Sequence, residues 1–286
     1  MKVVVVGIGL IGGSFAKDIR ETHPKVCIEG IDANTSHIEE AIDLGLIDAA
    51  TTYKGLADAD VVIVAIPVTV LAKELPIILD YVGEETVVID AGSTKAQICK
   101  VVAEHPKRRN YLACHPIAGT EYSGPSAAIS GLYNGKTNII CEVEQTAFKL
   151  QEKALALFEK LGMRIRYMNP DNHDKHIAYV SHLSHISSFM LGKTVIEKEK
   201  NERDIFDMAG SGFESTVRLA KSSPAMWAPI FEQNKANVLE TLTEYINNLE
   251  SFKKMMEDDD FDGLYEEMNN TNRIKQILNG IPLTKK

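Results

Sequence analysis

The stretch Val3-Val4-Val5-Val6-Gly7-Ile8-Gly9-Leu10-Ile11-Gly12 decides the fold of this chain. Four consecutive valines indicate a buried β-strand, and a helical pattern begins at Leu10. Between them lies a G-x-G-x-x-G turn, a motif that is weak alone and informative when a strand precedes it and a helix follows. The stretch therefore predicts the first strand, turn and helix of a parallel α/β sheet that binds a dinucleotide.

Each glycine of the turn has a separate physical task. Gly7 permits the tight turn, Gly9 lets the backbone approach a pyrophosphate, and Gly12 allows the helix to pack closely on the strand. The amino terminus of the helix supplies free amides and partial positive charge to the phosphates. The predicted cofactor-binding residues are Gly7, Ile8, Gly9, Leu10, Ile11, Gly12, Asp32, Ile66 and Pro67.

Asp32 ends the next predicted strand, 20 residues after Gly12. A carboxylate at this place accepts hydrogen bonds from the ribose hydroxyls and repels a 2′-phosphate. The residues that follow are Ala33-Asn34-Thr35, without an arginine. The sequence therefore predicts NAD rather than NADP. Ile66-Pro67 is expected to turn beneath the cofactor, with a purely structural loop as the alternative.

The first half of the chain alternates short β-branched runs with helical patterns, which is typical of βαβ units. Strands are predicted at Val3–Val6, Val26–Ile31, Val61–Ile66, Thr86–Asp90, Tyr111–Cys114, Thr137–Cys141 and Arg164–Tyr167. Helices are predicted at Leu10–Glu21, Ser36–Leu44, Val70–Leu79, Lys95–Ala103 and Thr146–Leu161. We expect residues 1–169 to form a Rossmann-type, doubly wound, mainly parallel sheet domain.

Strand signals end at Asn169-Pro170, and residues 170–286 are expected to form an all-helical domain for substrate binding and dimerisation. Helices are predicted at Asn172–Glu199, at Ile205–Lys221, from Pro224 to about Met256, and near Phe261–Leu278. Pro224 suits a first helical turn after an N-cap at Ser223, and Pro229 is expected to kink the third helix. The apolar surface of these helices predicts a homodimer.

Composition excludes several classes of partner. The 286 residues carry a net charge of −9, which lacks the basic footprint of nucleic-acid or anionic-membrane binding. No apolar run reaches the roughly 20 residues of a membrane span, and Met1-Lys2 leads into a strand rather than a signal peptide, so a cytoplasmic location is expected. Cys27, Cys99, Cys114 and Cys141 are expected to be reduced core residues, and no metal site is predicted.

His115 is the strongest catalytic candidate. It ends a predicted strand at the edge where doubly wound sheets bind ligands, and Pro116 restricts its backbone to extended conformations. Imidazole accepts a proton near neutral pH, and oxidation of an alcohol by a nicotinamide requires such a base. Ser93 or Thr94 is expected to cap the helix at Lys95, and a capping serine can also present its hydroxyl to a neighbour.

These residues carry a resemblance to a known family. Asp90-Ala91-Gly92-Ser93-Thr94-Lys95 and His115-Pro116-Ile117-Ala118-Gly119-Thr120-Glu121 resemble segments of the prephenate dehydrogenase family of tyrosine biosynthesis. Ser181-His182-Leu183-Ser184-His185 and the segment around Arg218 are similar to the helical region of that family, although family members often have proline where this chain has Ser184. The resemblance extends over nearly the whole chain.

The resemblance implies NAD-dependent oxidative decarboxylation of prephenate to 4-hydroxyphenylpyruvate. By that analogy His115 is the base for the ring hydroxyl, and Ser93 orients His115 and the same hydroxyl. Arg218 pairs with a substrate carboxylate, and His185 faces the substrate. The further substrate-binding candidates are Glu121, Thr120 and His173, whereas His176 and His182 are expected to be structural.

Three alternatives remain at this stage. Arogenate dehydrogenase differs only in an amino group on the substrate, and His185 favours the keto acid. A β-hydroxyacid dehydrogenase shares the two-domain plan but generally depends on a helical-domain lysine. A non-catalytic redox sensor would bind NAD without turnover and would not need His115.

Overall fold

The computed structural model describes residues 1–200 and 204–280. Their strands form an eight-stranded sheet with the order β3-β2-β1-β4-β5-β6-β7-β8. The strands are β1 (Lys2–Val6), β2 (Cys27–Ile31), β3 (Ala49–Ala50), β4 (Val61–Val64), β5 (Val87–Asp90), β6 (Tyr111–Pro116), β7 (Thr137–Cys141) and β8 (Arg164–Met168). All neighbours are parallel except β6 and β7, which pair antiparallel. This arrangement confirms the predicted doubly wound, mainly parallel sheet.

The order of the sheet reverses between β1 and β4, because the chain first adds β2 and β3 on one side and then β4 to β6 on the other. Ligands of doubly wound sheets bind at such a switch point, beyond the carboxyl ends of the strands. The glycine turn follows β1, and Ile66-Pro67 follows β4. The topology therefore places both predicted cofactor segments at the switch point.

Helices cover both faces of the sheet. They are α1 (Leu10–Thr22), α2 (Thr35–Asp43), α3 (Val68–Tyr81), α4 (Ala96–Val102) and α5 (Phe148–Lys160). The four valines of β1 alternate between the faces: Val3 and Val5 pack with α1 and α5, whereas Val4 and Val6 pack with α3 and α4. Each valine is at most 3% exposed, which explains the uninterrupted apolar run.

The remaining helices form a helical region after the sheet. They are α6 (Pro170–Ile177), α7 (Leu183–Glu199), α8 (Ser211–Val217), α9 (Pro224–Gln233), α10 (Lys235–Glu257), α11 (Phe261–Thr271) and α12 (Ile274–Gly280). Trp227 and Ile230 of α9 join the core on the α3 side of the sheet. The helical region is thus packed onto the sheet through α9. Among the described residues, no helix has both the length and the apolar character that crossing a bilayer requires.

The predicted elements of the sheet region agree with the structure within two residues at each end, apart from β3, which is only two residues long and was missed. The helical predictions need four corrections, and the first is that the terminal helix predicted near Phe261–Leu278 is divided into α11 and α12. A π-helical turn, Ala178–His182, separates α6 from α7. Residues 204–221 form α8 flanked by short 3-10 turns rather than one helix. The third helix is interrupted at Asn234 rather than at Pro229, which lies inside α9.

Two local predictions also need correction. Ser223 precedes Pro224 as expected, but its side chain makes no capping hydrogen bond. Cys99, Cys114 and Cys141 are buried free thiols, whereas Cys27 is exposed at the start of β2 and is not a core residue.

Candidate active site

Two glycines of the turn after β1 are required by the protein itself. Gly7 has a φ of +87°, and a Cβ there would lie 2.5 Å from the carbonyl oxygen of Ala65. A Cβ on Gly12 would lie 2.0 Å from the carbonyl oxygen of Gly7. Any side chain at either position would therefore strain or displace the turn.

Gly9 is different, because nothing in the protein requires a glycine there. Its φ of −89° suits any residue, and no protein atom lies within 4 Å of the place a Cβ would occupy. Gly9 is the N-cap of α1, whose first amides receive no side-chain cap. Open space above uncapped amides at a helix amino terminus fits a phosphate group. The turn is therefore suited to a dinucleotide.

Asp32 lies one residue beyond β2, with its carboxylate fixed by the backbone. Oδ2 accepts a hydrogen bond from the amide of Ile8 at 2.8 Å, and Oδ1 accepts one from the amide of Asn34 at 2.9 Å. The side chain keeps 13% of its surface exposed. Because each carboxylate oxygen can accept more than one hydrogen bond, Asp32 retains acceptor capacity for ribose hydroxyls. Ile66 lies against Gly7, so the segments after β1 and β4 meet.

His115 lies at the carboxyl end of β6 and is 8% exposed. Its backbone pairs with Ile139 of β7, and Pro116 continues the strand. Burial, together with the nearby rings of His173 and His182 and the cation of Lys95, holds the pKa of His115 well below its ordinary value. The ring is therefore uncharged at neutral pH and has a lone pair available for a proton.

His173 lies directly beside His115. Nδ1 of His115 is 2.8 Å from Nε2 of His173, and Nδ1 of His173 is 2.8 Å from Oδ1 of Asp174. His173 is 1% exposed, so both of its ring nitrogens are engaged inside the protein. His173 thus makes its hydrogen bonds within the protein, and its direct binding of substrate stays a prediction.

Asp174 also replaces the helix cap expected from Ser93 or Thr94. Its carboxylate accepts hydrogen bonds from the amides of Lys95 at 2.7 Å and Ala96 at 2.9 Å, at the start of α4. The hydroxyl of Thr94 instead donates to Gln233 of α9. The side chain of Ser93 is partly exposed and makes no hydrogen bond to the residues that the structure describes, which leaves its hydroxyl available.

A buried ion pair lies beneath this site, and sequence reasoning did not find it. Lys95 contacts Asp90, and both residues are 0% exposed. The same carboxylate accepts hydrogen bonds from the hydroxyl of Tyr111 at 2.8 Å and the amide of Cys114 at 2.9 Å. The pair thus ties the end of β5 to the residue before His115. The only sign of this ion pair in the sequence is that Asp90 and Lys95 are the first and last residues of the segment Asp90-Ala91-Gly92-Ser93-Thr94-Lys95.

On the helical side, His185 of α7 stacks on Trp227 of α9, with ring centroids 3.5 Å apart. Its Nδ1 lies 2.9 Å from the carbonyl oxygen of Ser181, which identifies Nδ1 as the donor and leaves Nε2 free. Burial lowers the pKa of His185, the hydrogen bond to Ser181 opposes this, and the nearby charge of Arg218 lowers it further. Trp227 is a site residue that sequence reasoning left unassigned.

Arg218 connects the helical side to the loop after β6. Its Nη1 lies 3.5 Å from Oε2 of Glu121, and its side chain is 53% exposed. The distance is long for a charge-assisted hydrogen bond, so the guanidinium remains available to another anion. Thr120 precedes Glu121, and its hydroxyl accepts a hydrogen bond from the amide of Tyr122 at 3.3 Å, which shapes the loop.

These contacts link the predicted residues around one site. His115 is near His182, whose ring packs edge to face on Trp227 at 5.9 Å. Trp227 stacks on His185, His185 is near Arg218, and Arg218 reaches Glu121 on the loop that begins at His115. The residues thus form a series that runs from a neutral base at His115 to a cation at Arg218.

Comparisons with known proteins agree with this geometry. The family described as "Prephenate dehydrogenase, nucleotide-binding domain" matches residues 15–167, and "Prephenate dehydrogenase, dimerization domain" matches residues 169–270. The prephenate dehydrogenase of Bacillus subtilis is 30% identical over 99% of this chain and 77% of its own length. The cyclohexadienyl dehydrogenase of Zymomonas mobilis is 26% identical over 96% of this chain and 95% of its own length.

A similar solved structure is the prephenate dehydrogenase of Aquifex aeolicus in complex with hydroxyphenyl propionate and NAD+. It is 32% identical, has a TM-score of 0.86, and the match covers 97% of this chain and 98% of that one. The similarity includes both the sheet and the helical region.

Proposed function

The chain belongs to the prephenate dehydrogenase family of NAD-dependent oxidoreductases, and on this premise we propose that it converts prephenate to 4-hydroxyphenylpyruvate by oxidative decarboxylation. The observation that carries the proposal is His115. It is a buried, uncharged histidine at the carboxyl end of β6. We also propose the predicted division of the chain at residues 169 and 170, since β8 ends at Met168 and α6 begins at Pro170.

NAD is the cofactor, and the residues around the glycine turn are suited to hold it. The amides at the start of α1 face the open space above Gly9, where the pyrophosphate would lie. Asp32 would accept hydrogen bonds from the adenosine ribose, and Ile66 and Pro67 would support the cofactor from below. When bound, NAD supplies the nicotinamide that accepts a hydride.

The proposed reaction neither takes up nor releases a proton overall. His115 takes the proton of the ring hydroxyl while a hydride leaves the ring carbon that carries this hydroxyl. The ring carboxylate then departs as carbon dioxide, and its bonding electrons complete an aromatic ring as a phenolate. The phenolate takes the proton back from His115. The free hydroxyl of Ser93, close in sequence to the buried Lys95, is proposed to orient the substrate hydroxyl.

Arg218 is proposed to bind a substrate carboxylate, because its planar guanidinium matches a carboxylate with two parallel hydrogen bonds. Glu121, which contacts the same guanidinium, and Thr120 would line the approach to it. His185 lies beside Arg218 and would contact the pyruvyl side chain. A cation next to His185 favours the keto acid over arogenate, whose ammonium group would be repelled.

A matrix of assays tests this proposal. Prephenate and arogenate are each offered with NAD and with NADP, and the reduced nicotinamide is followed by its absorbance. We expect the highest kcat/KM for prephenate with NAD. A higher value for arogenate would overturn the substrate, a higher value for NADP would overturn the role of Asp32, and NAD binding without turnover would indicate a redox sensor.

We also propose a homodimer formed through the helical region. Five apolar side chains of α10 share one helical stripe and are each at least 39% exposed: Leu239, Ile246, Leu249, Phe252 and Met256. Phe261, Tyr265 and Met268 extend the exposed apolar surface onto α11. A surface of this kind favours a protein partner, and the dimerisation-domain match makes a second copy the best candidate. Sedimentation at micromolar concentration should give a dimer, and a monomer would contradict the proposal.

A further inference from the structure

His115, His173 and Asp174 form a continuous hydrogen-bonded series inside the protein. The two links are both 2.8 Å long, from Nδ1 of His115 to Nε2 of His173 and from Nδ1 of His173 to Oδ1 of Asp174. The three residues are 8%, 1% and 3% exposed. Links of this length between buried groups fix which atom carries each proton.

The order of the protons can be worked out from the carboxylate end. The carboxylate of Asp174 accepts hydrogen bonds from the amides of Lys95 and Ala96, and its third contact is Nδ1 of His173. It therefore accepts at every contact, and Nδ1 of His173 carries a proton. Nε2 of His173 is then free to accept a hydrogen bond from Nδ1 of His115. In this order the proton of His115 lies on Nδ1, and its Nε2 has the lone pair.

Nε2 of His115 is also the ring nitrogen that is left open to a ligand. It has no hydrogen-bond partner among residues 1–200 and 204–280, yet it is not sealed from solvent, unlike Nε2 of His182. A base at this position must present a lone pair rather than a proton to the substrate hydroxyl. A free histidine side chain prefers the opposite tautomer, with the proton on Nε2. The protein must therefore impose the tautomer that the reaction needs.

We propose that His173 and Asp174 are positioning residues that hold the proton of His115 on Nδ1 and stabilise the imidazolium formed when Nε2 takes the proton of the substrate. The proposal rests on the proposed function and deepens it. No proton needs to leave His115 for its neighbours: Nδ1 keeps its proton throughout, and its hydrogen bond to His173 strengthens when the ring becomes charged.

The surroundings of His115 explain why such support is needed. Lys95 lies nearby and disfavours a second positive charge, although Asp90 pairs with it. Burial acts in the same direction as Lys95, and so would His173 and His182 if they carried a positive charge, so His173 supports the base only as a neutral ring. The carboxylate of Asp174, acting through His173, is the group that favours the transient charge. A buried base without it would be a poor proton acceptor.

The tautomer can be measured without substrate. The whole protein, labelled with 15N at histidine, is examined by NMR at neutral pH, and His115 is assigned by the signal that disappears in His115→Asn. We expect a protonated Nδ1 and an unprotonated Nε2. A proton on Nε2 in the wild-type protein would overturn the proposal, whatever the enzyme turns over.

Variants of His173 test the effect on catalysis. His173→Gln keeps an acceptor close to the position of Nε2, whereas His173→Phe keeps a planar ring and removes the acceptor. We expect His173→Phe to lose roughly a hundredfold in kcat with little change in KM, and His173→Gln to recover most of it. The matched control is His176→Gln, an exposed position on the same helix, which should behave as wild type.

A purely structural role makes a different prediction. The two variants would then lose activity in proportion to their loss of thermal stability, and the tautomer of His115 would not change. That result would overturn the proposal, as would normal kcat in His173→Phe. If His173→Phe does not fold, the wild-type tautomer and the activity of His173→Gln still decide. Failure of wild-type turnover with prephenate would instead count against the proposed function alone.

Discussion

The turn between β1 and α1 is made by residues within six positions of one another, whereas the surroundings of His115 come from β6, α6, the π-helical turn and α9. In the turn, the positive φ of Gly7 and the close approach of Gly12 to Gly7 arise within the segment, the carbonyl of Ala65 also excludes a side chain at Gly7, and Gly9 leaves space for a ligand. Around His115, hydrogen bonds join residues 58 positions apart. One short segment therefore forms most of the phosphate-binding turn, whereas the packing of the helical region against the sheet positions His115.

If the cofactor site and the surroundings of His115 are independent, replacing His115 should abolish turnover and leave the fold intact. His115→Asn keeps the approximate shape and removes the proton acceptor, so we expect kcat to fall roughly a hundredfold or more. Initial rates with prephenate and NAD measure this, with His176→Asn as the control on an exposed surface. Near-normal turnover would remove His115 from the role of base.

A change at Gly9 in the turn should weaken binding of the cofactor and leave the base unchanged. In Gly9→Val the Cβ has no protein atom within 4 Å and the φ is ordinary, so the fold should persist while the side chain fills the phosphate space. We expect NAD affinity to fall roughly tenfold or more, a change of about 1.4 kcal/mol. Gly210→Val is a matched control, because Gly210 is also an uncapped N-cap with an open Cβ position.

Gly12→Ala sharpens this prediction, since its Cβ would collide with the carbonyl of Gly7. It should lower the free energy of unfolding by on the order of 2 kcal/mol, whereas Gly9→Val should not. Urea denaturation of both variants measures the difference. Equal destabilisation would mean that Gly9 is structural.

Arg218→Ala should have a smaller effect, directed at substrate binding. Loss of a charge-assisted contact to a carboxylate should raise KM for prephenate by roughly ten- to a hundredfold and leave kcat less affected. Lys221→Ala, in the same 3-10 turn and 58% exposed, is the control. A fall in kcat with unchanged KM would contradict a binding role.

The smallest effect concerns pH and stability. Burial lowers the pKa of His182 to about 4 and holds that of His115 well below its ordinary value. Below about pH 6.5 the unfolded chain binds protons that the folded chain does not, so stability falls as the pH decreases through the folded pKa values. Each histidine can contribute up to about 1.4 kcal/mol per pH unit. Urea denaturation at pH 7 and pH 5 should show the loss, and His182→Asn should reduce it.

The same contrast explains what could be predicted from the sequence. The strand, turn and Asp32 were found because each depends on residues close in sequence, and the positions of strands in the sheet follow general topology. The contact of His173 with His115 was not found, because the two residues are 58 positions apart and meet only in the folded protein. The cap from Asp174 and the ion pair of Lys95 with Asp90 were missed for a similar reason, since burial of a charge is decided by packing that no local pattern records.

The most direct test of the account measures both parts of the site in one variant. NAD affinity of His115→Asn is determined by calorimetry, and its turnover of prephenate is determined in the same preparation. We predict an NAD Kd within about twofold of wild type together with a kcat reduced roughly a hundredfold or more. A parallel loss of NAD affinity and turnover, or turnover close to that of wild type, would contradict the separation of the cofactor site from the base.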